Sequence, residues 1–224
     1  AKPSSRCSDC HTAIRPQHNI PLLSFLFLRG RCNSCAKPIS IQYPLIELTA
    51  GLIAAFFVYQ HGLSEVTFYS LVLSYSLLVL TGIDFHEQLL PDQITLPLLW
   101  VGLLANLNAS FVPLREAVLG AIAGYLSLWI VFWAFKMITG KEGMGYGDFK
   151  LLGALGAWLG WQMLPLVIFL STTLGATVGI AGIIFAGRNR ETAIAFGPFL
   201  AIAGWIAFVW GDKILVSYLG IFNL

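Results

Sequence analysis

The sequence has few charged residues: only 11% of its 224 residues are Asp, Glu, Lys or Arg, whereas 57% are hydrophobic. Ordinary soluble domains carry about 25% charged residues, so this composition excludes that class and is typical of membrane proteins. The chain begins AKPSSRC, which has neither a start methionine nor the apolar core of a secretory signal peptide. We therefore expect a processed chain, or one from which an upstream segment has been left out.

Cysteines are absent after residue 35, and long apolar runs are absent before residue 44. The first 43 residues are polar and basic, whereas almost every later segment between loops is long and apolar enough to cross a bilayer. This division predicts two domains, a small N-terminal module at 1–43 and a helical membrane domain at 44–224. The predicted fold class is an all-α polytopic membrane protein in the lipid bilayer. Nucleic acid is not an expected partner, and the oligomeric state cannot be predicted.

Seven apolar segments follow the cysteine module, and short connections between them predict antiparallel neighbours. They cover about 44–60, 66–83, 94–112, 117–138, 149–165, 167–187 and 194–211. The fifth and sixth are short and rich in glycine, so they could instead form one broken hairpin. The tail at 212–224 could lie at the interface or extend the last span.

The basic residues are distributed unequally about these predicted spans. If the cysteine module is cytoplasmic, only Arg115 and Lys213 of the thirteen Lys and Arg residues lie outside. The other eleven then lie on the cytoplasmic side: Lys2, Arg6, Arg15, Arg29, Arg31, Lys37, Lys136, Lys141, Lys150, Arg188 and Arg190. Because cytoplasmic loops are enriched in Lys and Arg, the pattern predicts this orientation. It also places Asp84 and Asp148 on the cytoplasmic face.

Two CxxC pairs form the most specific local pattern of the module. The pairs are CSDC and CNSC, which contain Cys7, Cys10, Cys32 and Cys35. Two such turns can supply the four thiolates of a tetrahedral, structural zinc site. A module of this size is too small to build a sufficient hydrophobic core, so bound metal would supply its folding free energy. Two disulfides or plain buried cysteines are the alternatives, and a reducing cytoplasm disfavours disulfides. His11 and His18 are interpreted as surface histidines.

Two aspartates stand at the ends of apolar segments. Asp84 directly follows the second segment, where an ionisable side chain is costly and usually faces the interior of the helix bundle with a partner. Asp92 follows Pro91 and precedes an apolar run, so it is predicted to be a helix N-cap.

Asp148 is the expected partner of Asp84. Glycines such as Gly145 and Gly147 precede it and would allow another helix or an extended peptide to approach closely. Two carboxyl groups that share a proton can activate water and protonate a leaving nitrogen, as in aspartic proteases. The alternative is structural: Asp148 caps a helix that begins at Phe149, and Asp84 pairs with Lys150 or Lys141. The spacing alone favours neither.

The chain resembles the type IV prepilin leader peptidases, which are bifunctional peptidases and N-methyltransferases, over essentially its whole length. The resemblance rests on both cysteine pairs and on the ordered stretches NIPLLSFLFLRGRC, YPLIEL, IDFHEQLLPDQITLPLLW, TGKEGMGYGDFKLLGALGAWLGW and FGPFLAIAGWIA. It implies a membrane aspartic protease of the GxGD type whose catalytic acids are Asp84 and Asp148, with Gly145 and Gly147 as active-site glycines.

The resemblance also implies the substrates and the second activity. Family members remove a short basic leader from prepilins and pseudopilins, after a glycine, at the cytoplasmic face of the bacterial inner membrane. They then methylate the new N-terminal residue with S-adenosylmethionine, in support of type IV pilus and type II secretion assembly. Gly30 and Arg31 match the positions tied to methylation. No glycine-rich cofactor pattern marks the donor site.

One departure and two rival interpretations remain. Family members usually have a further span before the cysteine module, so we expect a shortened or processed chain. A protease resembling presenilin or signal peptide peptidase would cut a transmembrane peptide instead of a basic leader. A membrane transporter or scaffold whose paired acids bind a cation would show no proteolysis, but acids in transport pathways usually lie nearer the middle of the membrane.

Overall fold

Each of the seven predicted apolar segments forms one α-helix in the computed structural model, which describes residues 6–7, 9–141, 143–186 and 195–221. Within these ranges there is no β-strand, and a five-residue helix lies between the cysteine pairs. The helices are α1 Leu23–Phe27, α2 Gln42–His61, α3 Glu65–Glu87, α4 Asp92–Ala105, α5 Leu114–Thr139, α6 Tyr146–Leu159, α7 Leu164–Ala186 and α8 Gly197–Ile221. Three residues of the charge pattern, Lys2, Arg188 and Arg190, lie outside the described residues.

Five of these helices, α2, α3, α5, α7 and α8, are long and apolar enough to cross a membrane. The prediction of an all-helical membrane protein with several spans is therefore confirmed. Helices α4 and α6 have 14 residues each, which corresponds to about 21 Å of helix and is less than the thickness of a hydrocarbon core.

The predicted shortness of the sixth segment is wrong, since α7 has 23 residues. It is a helix separate from α6, because Gly160 has a φ of 76° and a 3₁₀ turn over Trp161–Met163 follows it. The tail extends the last span, because α8 continues as far as Ile221.

The chain forms two compact units, Ala1–Thr67 and Phe68–Leu224. The first contains the four cysteines, α1 and α2, and the second contains α4 to α8 and most of α3. The domain boundary predicted between residues 43 and 44 stays a prediction.

Helix α6 forms the centre of the second unit. Every residue from Asp148 to Leu159 is buried except Lys150, and α4, α5 and α8 pack around the helix. A helix that is apolar on all sides belongs in such an interior. Because other helices surround α6, little of this short helix is exposed to lipid.

Glycines allow α5 and α6 to pack with their backbones in contact. Gly120 and Gly124 are four residues apart and lie on one face of α5. A Cβ atom at Gly120 would collide with the carbonyl oxygen of Gly156, and one at Gly124 would lie 2.5 Å from that of Leu152. This small-xxx-small pattern is typical of helix pairs in membranes, where close packing stabilises the association.

Two buried polar side chains connect α6 to α4 and to the residue that follows α4. The side-chain nitrogen of Asn106 donates a 2.9 Å hydrogen bond to the carbonyl of Ala157, and its oxygen accepts bonds from the backbone N–H groups of Phe111 and Val112. The indole N–H of Trp158 donates to the carbonyl of Leu98 at 2.9 Å. Both groups are satisfied, so they fix the position of α6 without a desolvation penalty.

Candidate active site and metal centre

Asp84 lies near the carboxyl end of α3 and is only 5% exposed. Its Oδ2 accepts a 3.0 Å hydrogen bond from the backbone N–H of Gly197, the first residue of α8. The first N–H groups of a helix have no partner within the helix, and together with the helix dipole they stabilise negative charge. Asp84 therefore provides a hydrogen-bond acceptor for the first N–H group of α8, and the same bond holds its carboxyl group in a fixed position.

Asp148 lies in the first turn of α6 and is 6% exposed. The structure excludes the prediction that it caps a helix beginning at Phe149. The helix begins earlier, at Tyr146, with Gly145 as its N-cap, and the N–H of Asp148 donates to the carbonyl of Gly145 at 3.2 Å. Its carboxyl group instead accepts a hydrogen bond from the backbone N–H of Gly145, as the side chain at the third position of a helix can.

The two carboxyl groups are close enough for the charge of Asp84 to act on Asp148. Leu90, in the loop between α3 and α4, connects their surroundings. A Cβ atom on Gly147 would lie 2.6 Å from the Cβ of Leu90, and one on Gly197 would lie 3.1 Å from its Cδ1. Leu90 thus packs against the beginnings of both α6 and α8, next to the two acids.

The two glycines of the GxGD sequence differ in their surroundings. A Cβ atom on Gly147 would collide with Leu90, whereas one on Gly145 would meet, among the described residues, only Asp148 Oδ2, at 3.6 Å. Gly147 is therefore required for packing within the chain. Gly145 leaves open space beside the carboxyl group of Asp148.

Asp92 is not the N-cap of α4, so that prediction is wrong. Pro91 occupies the cap position, and Asp92 begins the helix. The carboxylate instead accepts two hydrogen bonds from Lys150 Nζ, at 2.6 and 2.7 Å. This ion pair joins α4 to α6, and it also excludes the alternative in which Lys150 pairs with Asp84.

Sequence reasoning did not identify Leu90 or Gly197. Leu90 resembles any other apolar residue of a loop, and no local signal marks it. Gly197 lies in the stretch FGPFLAIAGWIA, and the one available signal was a glycine near the start of the last predicted apolar segment.

In the first unit the side chains of the four cysteines form one cluster. Their Sγ atoms all lie within 4.8 Å of one another, and the pairs Cys7–Cys35 and Cys10–Cys32 are 4.0 Å apart. Four sulfurs at about 2.3 Å from a tetrahedral ion are separated by about 3.8 Å, so the set fits such an ion. A disulfide needs about 2.05 Å between sulfurs, and all four cysteines are free. These cysteines could therefore bind a metal.

The two cysteine turns have the same backbone hydrogen bonds. The N–H of Cys7 donates to the carbonyl of Thr12, and the N–H of Cys32 donates to that of Lys37. In each turn the residue after the second cysteine has a positive φ, 54° at His11 and 58° at Ala36. The two turns are thus equivalent in their backbone conformation, and each supplies two of the four sulfurs.

Hydrogen bonds prepare two of these thiols for metal binding. Bonds from the side chain and then the backbone of Thr12 lower the pKa of Cys10 to about 6. Backbone N–H groups of Cys35 and Ser34 lower the pKa of Cys32. Because a metal binds the thiolate and not the thiol, these bonds favour the ligand form at Cys10 and Cys32. At Cys35 a backbone hydrogen bond from Lys37 lowers the pKa, but desolvation and the neighbouring thiols outweigh it and raise the pKa to about 11.

Gly30 and Arg31 lead into the second cysteine turn. Gly30 has a φ of 69°, and a Cβ atom there would lie 3.0 Å from Cζ of Phe25, so both the backbone and the packing require glycine. Arg31 is exposed and pairs through its backbone with Pro38. Both residues lie in the first unit.

Comparisons with known proteins agree along the chain. Residues 71–180 match the type IV leader peptidase family, and residues 1–61 match the bacterial peptidase A24 N-terminal domain. A prepilin leader peptidase/N-methyltransferase of Aeromonas hydrophila is 55% identical over 97% of this chain and 75% of its own length. Proteins with the same name from Pseudomonas putida and Neisseria gonorrhoeae are 53% and 49% identical, over 96% and 95% of this chain and 75% and 73% of their own lengths. No solved structure matches the chain significantly.

Proposed function

The chain belongs to the type IV leader peptidase family, and we propose that it removes the basic leader peptide from type IV prepilins and pseudopilins and then N-methylates the new N-terminal residue. These reactions would serve type IV pilus and type II secretion assembly. The observation that carries the proposal is the pair of buried acids, Asp84 and Asp148. They lie in a chain about half identical to proteins named prepilin leader peptidase/N-methyltransferase.

In the proposed cleavage, Asp84 and Asp148 act as one acid–base pair. The ionised carboxyl group takes a proton from water, whose oxygen forms a bond to the scissile carbonyl carbon while the protonated carboxyl group polarises the carbonyl oxygen. The C–N bond then breaks, and the leaving nitrogen accepts a proton from the pair. The products are the leader's carboxylate and a new N-terminal amine.

We place this site at the cytoplasmic face of the bacterial inner membrane. The excess of Lys and Arg on the module and the loops beside Asp84 and Asp148 supports that orientation. The apolar helix of the substrate would enter sideways from the lipid, and its basic leader would stay in the cytoplasm. Gly145, which leaves space beside Asp148, is the residue we assign to admit the substrate's backbone.

We assign Zn²⁺ to Cys7, Cys10, Cys32 and Cys35, where it would crosslink the two turns and contribute to the folding of the module. Four thiolates leave no open position, so its role is structural. We assign the methyl group to S-adenosylmethionine, which supplies it in electrophilic form to the new amine. Gly30 and Arg31 are proposed to support methyl transfer by shaping the same module.

The test compares purified Asp84→Asn and Asp148→Asn variants with wild type on a prepilin in detergent. Each variant is expected to unfold at the wild-type temperature and to release no leader, because an amide can neither take nor give the required proton. The matched control is Asp212→Asn, which changes an exposed acid of α8 and should cleave normally. Leader release by Asp84→Asn at the wild-type rate would remove the assignment, and cation flux without proteolysis would favour a transporter.

A further inference from the structure

The first unit contains a cleft of about 600 Å³ beside the cysteine turns. Its walls come from both turns, from the segment between them and from the start of α2. Sites for small molecules and cofactors usually measure about 300–1,000 Å³. The cleft is therefore large enough for a nucleoside-sized ligand, and nothing in the peptidase chemistry of Asp84 and Asp148 uses it.

Glu47 is a fixed acidic group in this cleft. Its Oε2 accepts a 2.7 Å hydrogen bond from the backbone N–H of Leu22, whose φ is 60°. That bond holds the carboxylate in place at the wall. Among the described residues no bond to its Oε1 is found, so this oxygen can accept a hydrogen bond from a ligand.

Basic and aromatic side chains complete the lining. Arg6 and Arg15 present guanidinium groups, and Phe25 and Tyr43 present rings. Lys37 and Asp9 also line the cleft, and they pair with each other at 2.5 Å. Lys37 and Asp9 neutralise each other, so the two guanidinium groups and the carboxylate of Glu47 dominate the charge of the lining.

We propose that this cleft binds the methyl donor, S-adenosylmethionine, an inference that rests on the N-methyltransferase half of the proposed function. The donor has the groups that this lining recognises. The carboxylate of Glu47 suits ribose hydroxyls, a guanidinium suits the amino-acid carboxylate, and an aromatic ring suits the adenine or the sulfonium cation. The cleft also explains how a chain without a glycine-rich cofactor motif can hold a nucleoside.

The experiment measures equilibrium binding of tritiated S-adenosylmethionine to the full zinc-loaded chain in detergent, independently of methyl transfer. Glu47→Gln and Tyr43→Leu are each expected to weaken binding by about tenfold or more, since each loses a contact to the ligand. Glu65→Gln is the matched control, because it makes the same change at the beginning of α3, away from the lining. Zinc content and thermal unfolding confirm that each variant is folded.

Photo-crosslinking with the same labelled donor gives a second readout. Label in peptides from residues 6–47 is expected, whereas label confined to residues after 67 overturns the assignment. Wild-type binding by both Glu47→Gln and Tyr43→Leu also overturns it.

Prepilin cleavage separates this inference from the proposed function. If wild type cleaves prepilin but does not bind the donor, the assignment of the cleft is wrong and the proposed peptidase activity stands. If wild type cleaves no prepilin, the proposed function itself fails.

Discussion

Asp84 Oδ2 accepts a hydrogen bond from the backbone N–H of Gly197 at 3.0 Å, although the two residues are 113 positions apart in the sequence. The bond joins the end of α3 to the beginning of α8. A candidate catalytic carboxyl group is thereby oriented by a helix terminus that the sequence does not associate with it.

Replacement of Gly197 by alanine is expected to displace this carboxyl group. The added Cβ would lie 2.6 Å from Asp84 Oδ2, so one of the two groups must move. A displacement of about 1 Å at a catalytic group costs roughly 100-fold in rate, and we expect a loss of that size in prepilin cleavage.

The matched control for this variant is Gly82→Ala, in α3, where no described residue lies within 4 Å of an added Cβ. It should cleave at the wild-type rate. A Gly197→Ala variant that cleaves as well as Gly82→Ala would contradict the role of this contact.

The two GxGD glycines should respond differently to alanine. Gly147→Ala forces its methyl group against Leu90, and such overpacking is expected to lower the free energy of unfolding by about 1–3 kcal/mol. In the part of the chain that the structure describes, the methyl group of Gly145→Ala meets only Asp148, at an ordinary contact distance. It should therefore unfold at the wild-type temperature, and a fall in cleavage would reflect lost space beside the acid.

Thermal unfolding and prepilin cleavage of both variants check this prediction. Equal destabilisation by the two substitutions would argue against the packing described for Leu90.

Loss of the ion pair between Asp92 and Lys150 is expected to have a small effect. Asp92 is 51% exposed in its side chain, and exposed ion pairs contribute about 0–1 kcal/mol. We expect Asp92→Asn to reduce cleavage by less than about fivefold, which corresponds to that free energy. Cleavage assays should place it far above Asp84→Asn, and complete inactivity of Asp92→Asn would instead make Asp92 a candidate catalytic acid.

Metal analysis should give one zinc ion per chain. Cys32→Ser removes one of four thiolates and is expected to abolish stoichiometric zinc and to expose the module to proteases, because the metal contributes to its folding. His11→Asn keeps a residue that tolerates positive φ and should retain full zinc. Loss of zinc from His11→Asn would mean that a histidine and not four cysteines completes the site.

A chelator provides an independent form of the same test. Removal of the metal should loosen the module while the helical content of the second unit is maintained, as followed by circular dichroism. Full protease resistance of the module after zinc removal would contradict a structural role for the metal.

The positions of the helices and the grouping of the four cysteines follow from the sequence. Apolar runs can satisfy their backbone groups in a bilayer only as helices, so all seven segments were predicted to be helical. The expectation that each is long enough to span the bilayer is wrong for α4 and α6, which have 14 residues each. The spacing within each CxxC pair places two thiolates in one turn, so the four sulfurs could be assigned before their distances were known.

Which acid pairs with which partner was decided by tertiary structure. Lys150 lies 58 positions from Asp92, with which it pairs, and near Asp148 in sequence, with which it does not. Gly147 was predicted to allow another helix or an extended peptide to approach closely, and in the structure Leu90 of the same chain lies against it. Local pattern determines which segments become helices because the hydrogen bonds of a helix are local. The contacts among α3, α4, α6 and α8 form only when the helices pack, and hydrophobic pattern alone does not specify them.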